Sequence, residues 1–128
     1  MNRPTVLLAD DHPILVEGLK SLLQKDFELV GVVSDGRALV EEAERLQPDV
    51  IVTDISMPGM SGLAALKQLR ERHIRSPVVF LTVHQDAHLA ARAFRAGARG
   101  YVTKTSPPET LVRAVMDVLA GKIGRAHV

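Results

Sequence analysis

Residues 49–62 read Asp-Val-Ile-Val-Thr-Asp-Ile-Ser-Met-Pro-Gly-Met-Ser-Gly, and they are the most informative segment for the fold. A run of mostly β-branched apolar residues, Val50–Thr53, ends at the carboxylate Asp54, and a loop rich in Pro and Gly follows at once. A short apolar run bounded by turn residues is typical of a buried strand in a parallel sheet. Asp54 then lies at the carboxyl end of that strand, where open α/β sheets place their ligands. It is therefore either a functional carboxylate or an ordinary Asx turn.

The same alternation of an apolar strand and an amphipathic helix occurs five times along the chain. The fourth helix, predicted over Gln85–Ala96, is rich in Ala, and Ser106 with Glu109 predicts a capping box for the fifth helix. This alternation predicts an α/β fold with a doubly wound, five-stranded parallel sheet, strand order 2-1-3-4-5 and helices on both faces. The predicted strands are Thr5–Ala9, Glu28–Val33, Val50–Thr53, Val78–Leu81 and Gly100–Thr103.

Length and composition limit the classes of protein that this chain can belong to. Its 128 residues suit one domain, which we predict over residues 1–121, with 122–128 as a terminal tail or the start of a linker. A net charge of +1 gives no strong electrostatic case for binding nucleic acid. The absence of Cys excludes disulfides and thiolate metal sites, and no apolar run approaches the roughly 20 residues of a membrane span. We therefore expect a cytoplasmic protein without membrane contacts.

Polar side chains end four of the five predicted strands. Asp10 and Asp11 follow the first strand, Asp54 the third, Thr82 the fourth and Lys104 the fifth. Because the first and third strands are neighbours in the predicted order, we expect the two adjacent acids to face Asp54. Each residue alone has an ordinary explanation, such as a helix cap or a turn. Independent accidents would not place complementary groups at the same end of four strands, so the pattern favours a functional site.

The chemistry of these residue types points to phosphoryl transfer. Clustered carboxylates repel one another unless a cation lies among them, and an all-oxygen set suits Mg²⁺ or Mn²⁺. A carboxylate can also accept a phosphoryl group as an acyl phosphate. The Lys104 ammonium and the Thr82 hydroxyl can then bind oxygens of the transferred group. The residues thus predict a metal-dependent site with Asp54 as the acceptor.

Over nearly its whole length the chain resembles the receiver domain of two-component response regulators. The sequence Asp-Asp-His-Pro followed by Glu17-Gly18-Leu19 is similar to the NarL/FixJ subfamily, whose full-length members carry a C-terminal LuxR-type helix-turn-helix. The fold that this resemblance implies is flavodoxin-like (CheY-like), which agrees with the predicted strand order. The matching segments are Leu-Leu-Ala-Asp10-Asp11-His12-Pro13, Asp54-Ile-Ser-Met-Pro58-Gly59-Met-Ser-Gly62, Leu81-Thr82 and Gly97-Ala-Arg-Gly100-Tyr101-Val-Thr-Lys104.

The resemblance implies a role for each site residue. Asp54 would accept a phosphoryl group from a phosphohistidine on a sensor histidine kinase, and Lys104 would contact that group. Thr82 and Tyr101 would form the switch pair. The Mg²⁺ ligands would be Asp10, Asp11, Asp54 and the backbone carbonyl of Ser56. Apart from its own phosphorylation and dephosphorylation, no enzymatic turnover is implied.

The resemblance also implies where partners bind. The face made by helix four, strand five and helix five would serve as the output surface and a possible homodimer interface. Helix one and the loop after it would dock the kinase. DNA binding would belong to an effector domain that these 128 residues do not contain.

Two details differ among receivers and concern this chain directly. Ser56 and His84 lie two residues after Asp54 and Thr82, and we predict that they tune autodephosphorylation, although a surface imidazole without a role explains His84 equally well. Many receivers have a cis-Pro directly after the lysine, whereas Thr105 follows Lys104 here. A cis bond without Pro costs about 3–4 kcal/mol, so that geometry is not carried over to this chain.

Three other interpretations remain open on the sequence. A stand-alone receiver that signals through protein contacts, as chemotaxis-type regulators do, would differ in the length of the native reading frame. A small phosphatase of the haloacid-dehalogenase type also uses an aspartyl nucleophile, but it has Asp-x-Asp after its first strand and a cap domain; here Asp10–Asp11 are adjacent and a cap has no room. A flavodoxin-like binder of nucleotide or flavin would have a phosphate loop rich in Gly, Ser or Thr after the first strand, which this chain lacks.

Overall fold

The computed structural model describes residues 3–83 and 86–125, and its central feature is one parallel sheet between two layers of helices. The strands are β1 (Thr5–Ala9), β2 (Glu28–Val33), β3 (Val50–Asp54), β4 (Val78–Thr82), β5 (Gly100–Thr103) and β6 (Gly124–Arg125). The helices are α1 (Pro13–Leu23), α2 (Gly36–Leu46), α3 (Gly62–Glu71), α4 (Ala87–Arg95) and α5 (Pro108–Leu119).

The order of the strands is β2-β1-β3-β4-β5-β6, which confirms the predicted order of the first five. The sixth strand is an addition, because Gly124 and Arg125 pair in parallel with Gly100 and Tyr101 of β5. We predicted a tail or the start of a linker here, since two residues are too few to show the period of a strand. The sheet therefore extends past residue 121, where we predicted the domain to end.

Side chains of the central strands alternate between two hydrophobic clusters. Val50 and Val52 of β3 pack on the face that α1 and α5 cover, whereas Ile51 packs on the face that α2, α3 and α4 cover. All five residues of β3 are buried. Because helices cover both faces, a central strand needs apolar residues on both sides, which explains the continuous apolar run seen in the sequence.

Side chains cap the N-termini of α2 and α3, whereas the cap that we predicted for α5 is absent. Asp35 Oδ1 accepts a hydrogen bond of 2.8 Å from the backbone N–H of Ala38, and Ser61 caps α3 in the same way. The predicted capping box of Ser106 and Glu109 is wrong, because the Ser106 hydroxyl instead hydrogen-bonds that of Thr103 at 2.7 Å. A residue before proline is driven out of the helical region, so Pro107 stays extended before Pro108 and α5 starts one residue later.

Helix α4 begins at Ala87, where Asp86 Oδ1 accepts hydrogen bonds from the N–H groups of His88 and Leu89. Gln85, at which we predicted this helix to start, lies outside the described residues. The Lys104–Thr105 peptide is trans. Within residues 3–83 and 86–125, no helix is both long enough and apolar enough to cross a membrane.

Candidate functional site

The sheet brings the predicted polar residues to one edge. Strand β3 lies between β1 and β4, and β5 lies beside β4, so the carboxyl ends of four strands are adjacent. Asp54, the last residue of β3, pairs with Leu81, and Thr82 at the end of β4 pairs with Thr103. Asp10 follows β1 directly, and Lys104 follows β5 directly. The backbone register alone thus gathers side chains that are far apart in sequence.

Three carboxylates and one imidazole form a compact cluster at this edge. One ligand atom from each of Asp10, Asp11, His12 and Asp54 lies within 4.8 Å of all the others. The Asp10 side chain is fully buried and that of Asp54 is 5% exposed, whereas that of Asp11 is 32% exposed. Two acids are therefore held almost out of water, where unpaired charge is costly.

Lys104 provides the compensating charge. Its Nζ lies 2.8 Å from Asp10 Oδ2 and 2.9 Å from Asp54 Oδ2, and its side chain is only 7% exposed. The ammonium therefore joins the carboxylates that end β1 and β3. Three carboxylates face one lysine, so the cluster keeps an excess of negative charge when His12 is neutral.

The donor set fits a divalent cation. Among the described residues, Asp10 Oδ2 and Asp11 Oδ1 are buried and accept no hydrogen bond, although the first forms the ion pair with Lys104. Carboxylate oxygens with unused lone pairs and excess negative charge are what hard divalent cations bind. The structure therefore contains an Asp cluster suited to such an ion.

The loop after β3 orients Asp54. The Ser56 backbone N–H donates a hydrogen bond of 3.1 Å to Asp54 Oδ1, so the Asx-type contact that the sequence allowed is formed and coexists with the cluster. Gly62 approaches the same segment, because a Cβ there would lie 2.5 Å from the backbone oxygen of Asp54 and 2.8 Å from Phe80. Only glycine permits this approach of α3 to the end of β3.

Thr82 and Tyr101, the predicted switch pair, are in contact. Both are buried, with exposed fractions of 1% and 5%, and a hydrogen bond joins their side chains. Burial raises the pKa of the Tyr101 hydroxyl, the hydrogen bond with Thr82 opposes this shift, and the nearby charge of Asp86 adds to it. Tyr101 packs in the hydrophobic cluster on the α4 side of the sheet.

Comparison with known proteins assigns the family. Residues 6–116 match the family described as the response regulator receiver domain. The chain belongs to the response regulator receiver domains. Its similarity to solved structures agrees: a LuxR-family two-component response regulator from Aurantimonas sp. SI85-9A1 superposes with a TM-score of 0.92 and 33% identity, covering 98% of this chain and 90% of the other.

Two curated relatives are similar to most of this chain. The nitrate/nitrite response regulator protein NarL of Escherichia coli K12 is 40% identical over 121 residues, covering 93% of this chain and 56% of the relative. The transcriptional regulatory protein YdfI of Bacillus subtilis is 37% identical over 120 residues, covering 92% and 56%. The chain therefore spans about half the length of these relatives. Because residues 6–116 match the receiver family, we set aside the interpretations as a haloacid-dehalogenase-type phosphatase and as a flavodoxin-like binder of nucleotide or flavin.

The receiver fold brings together most of the residues that the sequence nominated, and it adds one. Asp10, Asp11, Asp54 and Lys104 meet in one cluster, and the Ser56 N–H contacts Asp54. The backbone carbonyl of Thr82 accepts a hydrogen bond from the N–H of Lys104. His84 lies outside the described residues. We predicted no role for His12 beyond its place in a motif, yet its ring lies inside the cluster. Its position directly after two acidic ligand candidates was the signal that could have found it.

Proposed function

We propose that Asp54 of this receiver domain accepts a phosphoryl group, in the cytoplasm, from a phosphohistidine of a sensor histidine kinase. The observation that carries the proposal is the position of Lys104 Nζ, which lies 2.9 Å from Asp54 Oδ2 and 2.8 Å from Asp10 Oδ2. This places a cation directly beside a nearly buried carboxylate at the edge where a ligand can bind. Such a cation can neutralise charge on a transferred phosphoryl group.

In the proposed step, a carboxylate oxygen of Asp54 forms a bond to phosphorus while the bond from phosphorus to the kinase imidazole nitrogen breaks. The electron pair of the broken bond returns to that imidazole. The Ser56 N–H holds Asp54 Oδ1 and fixes the orientation of the carboxylate. The Lys104 ammonium and the Thr82 hydroxyl then bind oxygens of the transferred group.

We propose that Asp10, Asp11, Asp54 and the backbone carbonyl of Ser56 hold Mg²⁺, which Mn²⁺ can replace. When bound, the ion neutralises negative charge among the acids and on the phosphoryl oxygens. Asp11 Oδ1, which is buried and accepts no hydrogen bond from the described residues, supports this assignment, as does the surplus of three carboxylates over one lysine. The domain acts only on itself, so we expect no turnover of external phosphomonoesters.

Acetyl phosphate tests the acceptor directly. With MgCl₂ present, intact mass spectrometry should detect one added phosphoryl group on the wild type and none on Asp54→Asn. Asp26→Asn is the matched control, because Asp26 is an exposed carboxylate in the loop after α1. It should be labelled like the wild type. Equal labelling of Asp54→Asn, or none on the wild type, would contradict the proposal.

The proposed switch uses Thr82 and Tyr101. When the Thr82 hydroxyl turns to a phosphoryl oxygen, it leaves its hydrogen bond with Tyr101, which changes the packing of Tyr101 under α4. This alters the face formed by α4, β5 and α5. We propose that this face then forms a homodimer. Sedimentation after acetyl phosphate treatment should show association of the wild type but not of Thr82→Ala, and equal behaviour of the two would exclude this route.

We propose that the output is transcription, through a DNA-binding effector domain outside these residues. The relatives YdfI and NarL support this, since YdfI is described as a transcriptional regulatory protein and the chain covers 56% of each. The second candidate is a stand-alone receiver that signals through protein contacts. The native reading frame distinguishes them, because a helix-turn-helix encoded after Val128 supports the first and a stop codon the second.

We also propose that Ser56 and His84 set the lifetime of the phosphoryl group. Ser56 is exposed and its N–H already contacts Asp54, which supports its half of the proposal. Replacing both side chains should change the half-life of the phosphorylated protein, followed by intact mass after removal of acetyl phosphate. An unchanged half-life would count against any tuning role.

A further inference from the structure

The ring of His12 lies close to three carboxylates of the cluster. Its Nδ1 is 2.8 Å from Asp10 Oδ1, 3.3 Å from Asp11 Oδ1 and 3.5 Å from Asp54 Oδ2. The proposed function uses oxygen ligands alone and therefore leaves this ring without a role.

The local backbone directs the ring into the cluster. His12 precedes α1 with extended dihedral angles, and its own N–H donates a hydrogen bond of 2.8 Å to Asp10 Oδ1. Pro13 follows as the first residue of the helix, which fixes the direction of the chain. The His12 side chain makes no helix-capping hydrogen bond and is 58% exposed, so the helix does not depend on it.

The distances match those between neighbouring ligands of one ion. Around an octahedral ion with bonds of about 2.1 Å, adjacent ligand atoms are about 3.0 Å apart. The separations of Nδ1 from Asp10 Oδ1 and Asp11 Oδ1, 2.8 and 3.3 Å, lie on either side of that value. Independently, Asp10 Oδ2 and Asp11 Oδ1 are buried and accept no hydrogen bond from the described residues. The cluster thus offers one unused oxygen ligand, Asp11 Oδ1, and a second, Asp10 Oδ2, that is paired with Lys104. It also offers a nitrogen at ligand spacing, His12 Nδ1, which now contacts Asp10 Oδ1 at 2.8 Å and Lys104 Nζ at 3.2 Å.

We propose that His12 Nδ1 is a further side-chain ligand of the divalent cation and shifts the metal preference of this receiver away from Mg²⁺. Carboxylate and carbonyl oxygens suit Mg²⁺, whereas imidazole suits later ions such as Ni²⁺ and Zn²⁺. Three consecutive residues, Asp10, Asp11 and His12, then supply ligands from one turn of chain. This inference rests on the metal site of the proposed function, and it adds that both nitrogen and oxygen atoms are ligands in that site.

Pulsed electron paramagnetic resonance of bound Mn²⁺ tests the ligand directly, without phosphorylation. The wild type should show modulation from a directly bound ¹⁴N nucleus, and His12→Asn should lose it. Asn is a favourable residue at a helix N-cap, so this variant keeps the fold. Mn²⁺ bound without nitrogen modulation in the wild type, or modulation that persists in His12→Asn, would show that His12 only hydrogen-bonds Asp10.

His73→Asn is the matched control. His73 is exposed after α3 and lines a cavity with Pro48, Asp49 and Ser76, which precede strands β3 and β4, so it lies at the other end of the sheet. Its φ of 62° is one that Asn tolerates. This variant should keep the nitrogen modulation of the wild type.

Titration calorimetry with Ni²⁺ and with Mg²⁺, at one fixed pH, provides the second measurement. His12→Asn should lower the ratio of Ni²⁺ to Mg²⁺ affinity by at least about 10- to 100-fold, because loss of even an outer-shell partner of a metal ligand lowers metal affinity by that much. His73→Asn should leave the ratio unchanged. An unchanged ratio in His12→Asn would contradict the role of His12 but leave the proposed metal site intact. If the wild type binds neither Mn²⁺ nor Mg²⁺, both the role of His12 and the metal site of the proposed function are wrong.

Discussion

Replacing Lys104 by Met should destabilise this receiver domain strongly, because it leaves two buried carboxylates without their cation. Lys104 Nζ is 2.8 Å from Asp10 Oδ2 and 2.9 Å from Asp54 Oδ2, and the exposed fractions of the three side chains are 7%, 0% and 5%. Removing one partner of a buried ion pair costs about 3–5 kcal/mol. Domains have a free energy of unfolding of about 5–15 kcal/mol, so the loss is a large fraction of the total.

Urea unfolding followed by circular dichroism measures this loss, first in EDTA and then with saturating MgCl₂. The loss should shrink with Mg²⁺, because a bound cation takes over part of the compensation that Lys104 provided. Lys20→Met is the matched control. Lys20 Nζ lies 3.4 Å from Glu17, and the exposed fractions of these side chains are 37% and 73%. An exposed pair of this kind contributes at most about 1 kcal/mol.

A double variant identifies the cause of the loss. Asp54→Asn removes one of the two charges that Lys104 compensates, so Asp54→Asn with Lys104→Met should lose less than the sum of the single changes. Coupling between residues in contact is about 0.5–3 kcal/mol. The reasoning is refuted if Lys104→Met loses no more than Lys20→Met in EDTA. If the loss of unfolding free energy in Lys104→Met is changed neither by Mg²⁺ nor by Asp54→Asn, the cause would be lost packing of the lysine stem.

Three further predictions concern packing, titration and capping. Gly62→Ala should lower the free energy of unfolding by about 1–3 kcal/mol, because the added Cβ would lie 2.5 Å from the backbone oxygen of Asp54. Gly18→Ala in α1 should raise it by about 0.5–1 kcal/mol, because a Cβ there would meet nothing within 4 Å and Ala favours the helix. The reverse order of stabilities in urea titrations would contradict this prediction. Burial raises the pKa of the Tyr101 hydroxyl, so the neutral tyrosine contributes fully to the stability of the fold below pH about 10, the unfolded pKa. This contribution is lost as the pH rises through the native pKa. The absorbance of tyrosinate from this single tyrosine should therefore appear at higher pH in the folded than in the urea-unfolded protein, and coincident titration curves would contradict the prediction. Asp35→Ala removes the 2.8 Å cap of α2 and should cost about 0.5–2 kcal/mol, while Asp35→Asn, which can still cap, should cost little.

From the sequence alone we could predict five of the six strands of the described residues, their order and the polar residues that end them. Strands β3 and β4 are apolar throughout because both of their faces are buried, and this pattern is visible without coordinates. Once the order was predicted, the backbone register implied that Asp10 and Asp54 would meet. The chemistry of phosphoryl acceptance followed from residue types at strand ends, and the family match agrees with it.

Local patterns failed where a short segment has two competing uses. Ser106 has the spacing of a capping residue, yet its hydroxyl bonds Thr103 because Pro107 cannot enter the helix before Pro108. The strand Gly124–Arg125 carries no periodic signal, and it exists because the edge of β5 offers unpaired backbone groups.

The way in which the site compensates its own charge depends on tertiary packing. Lys104 follows β5 and Asp10 follows β1, and no spacing along the chain shows that the ammonium bridges Asp10 and Asp54. The same holds for His12, whose ring enters the cluster only because its N–H bonds Asp10 and Pro13 starts the helix. Residue types and register are encoded locally, whereas distances between side chains depend on how the helices and strands pack together.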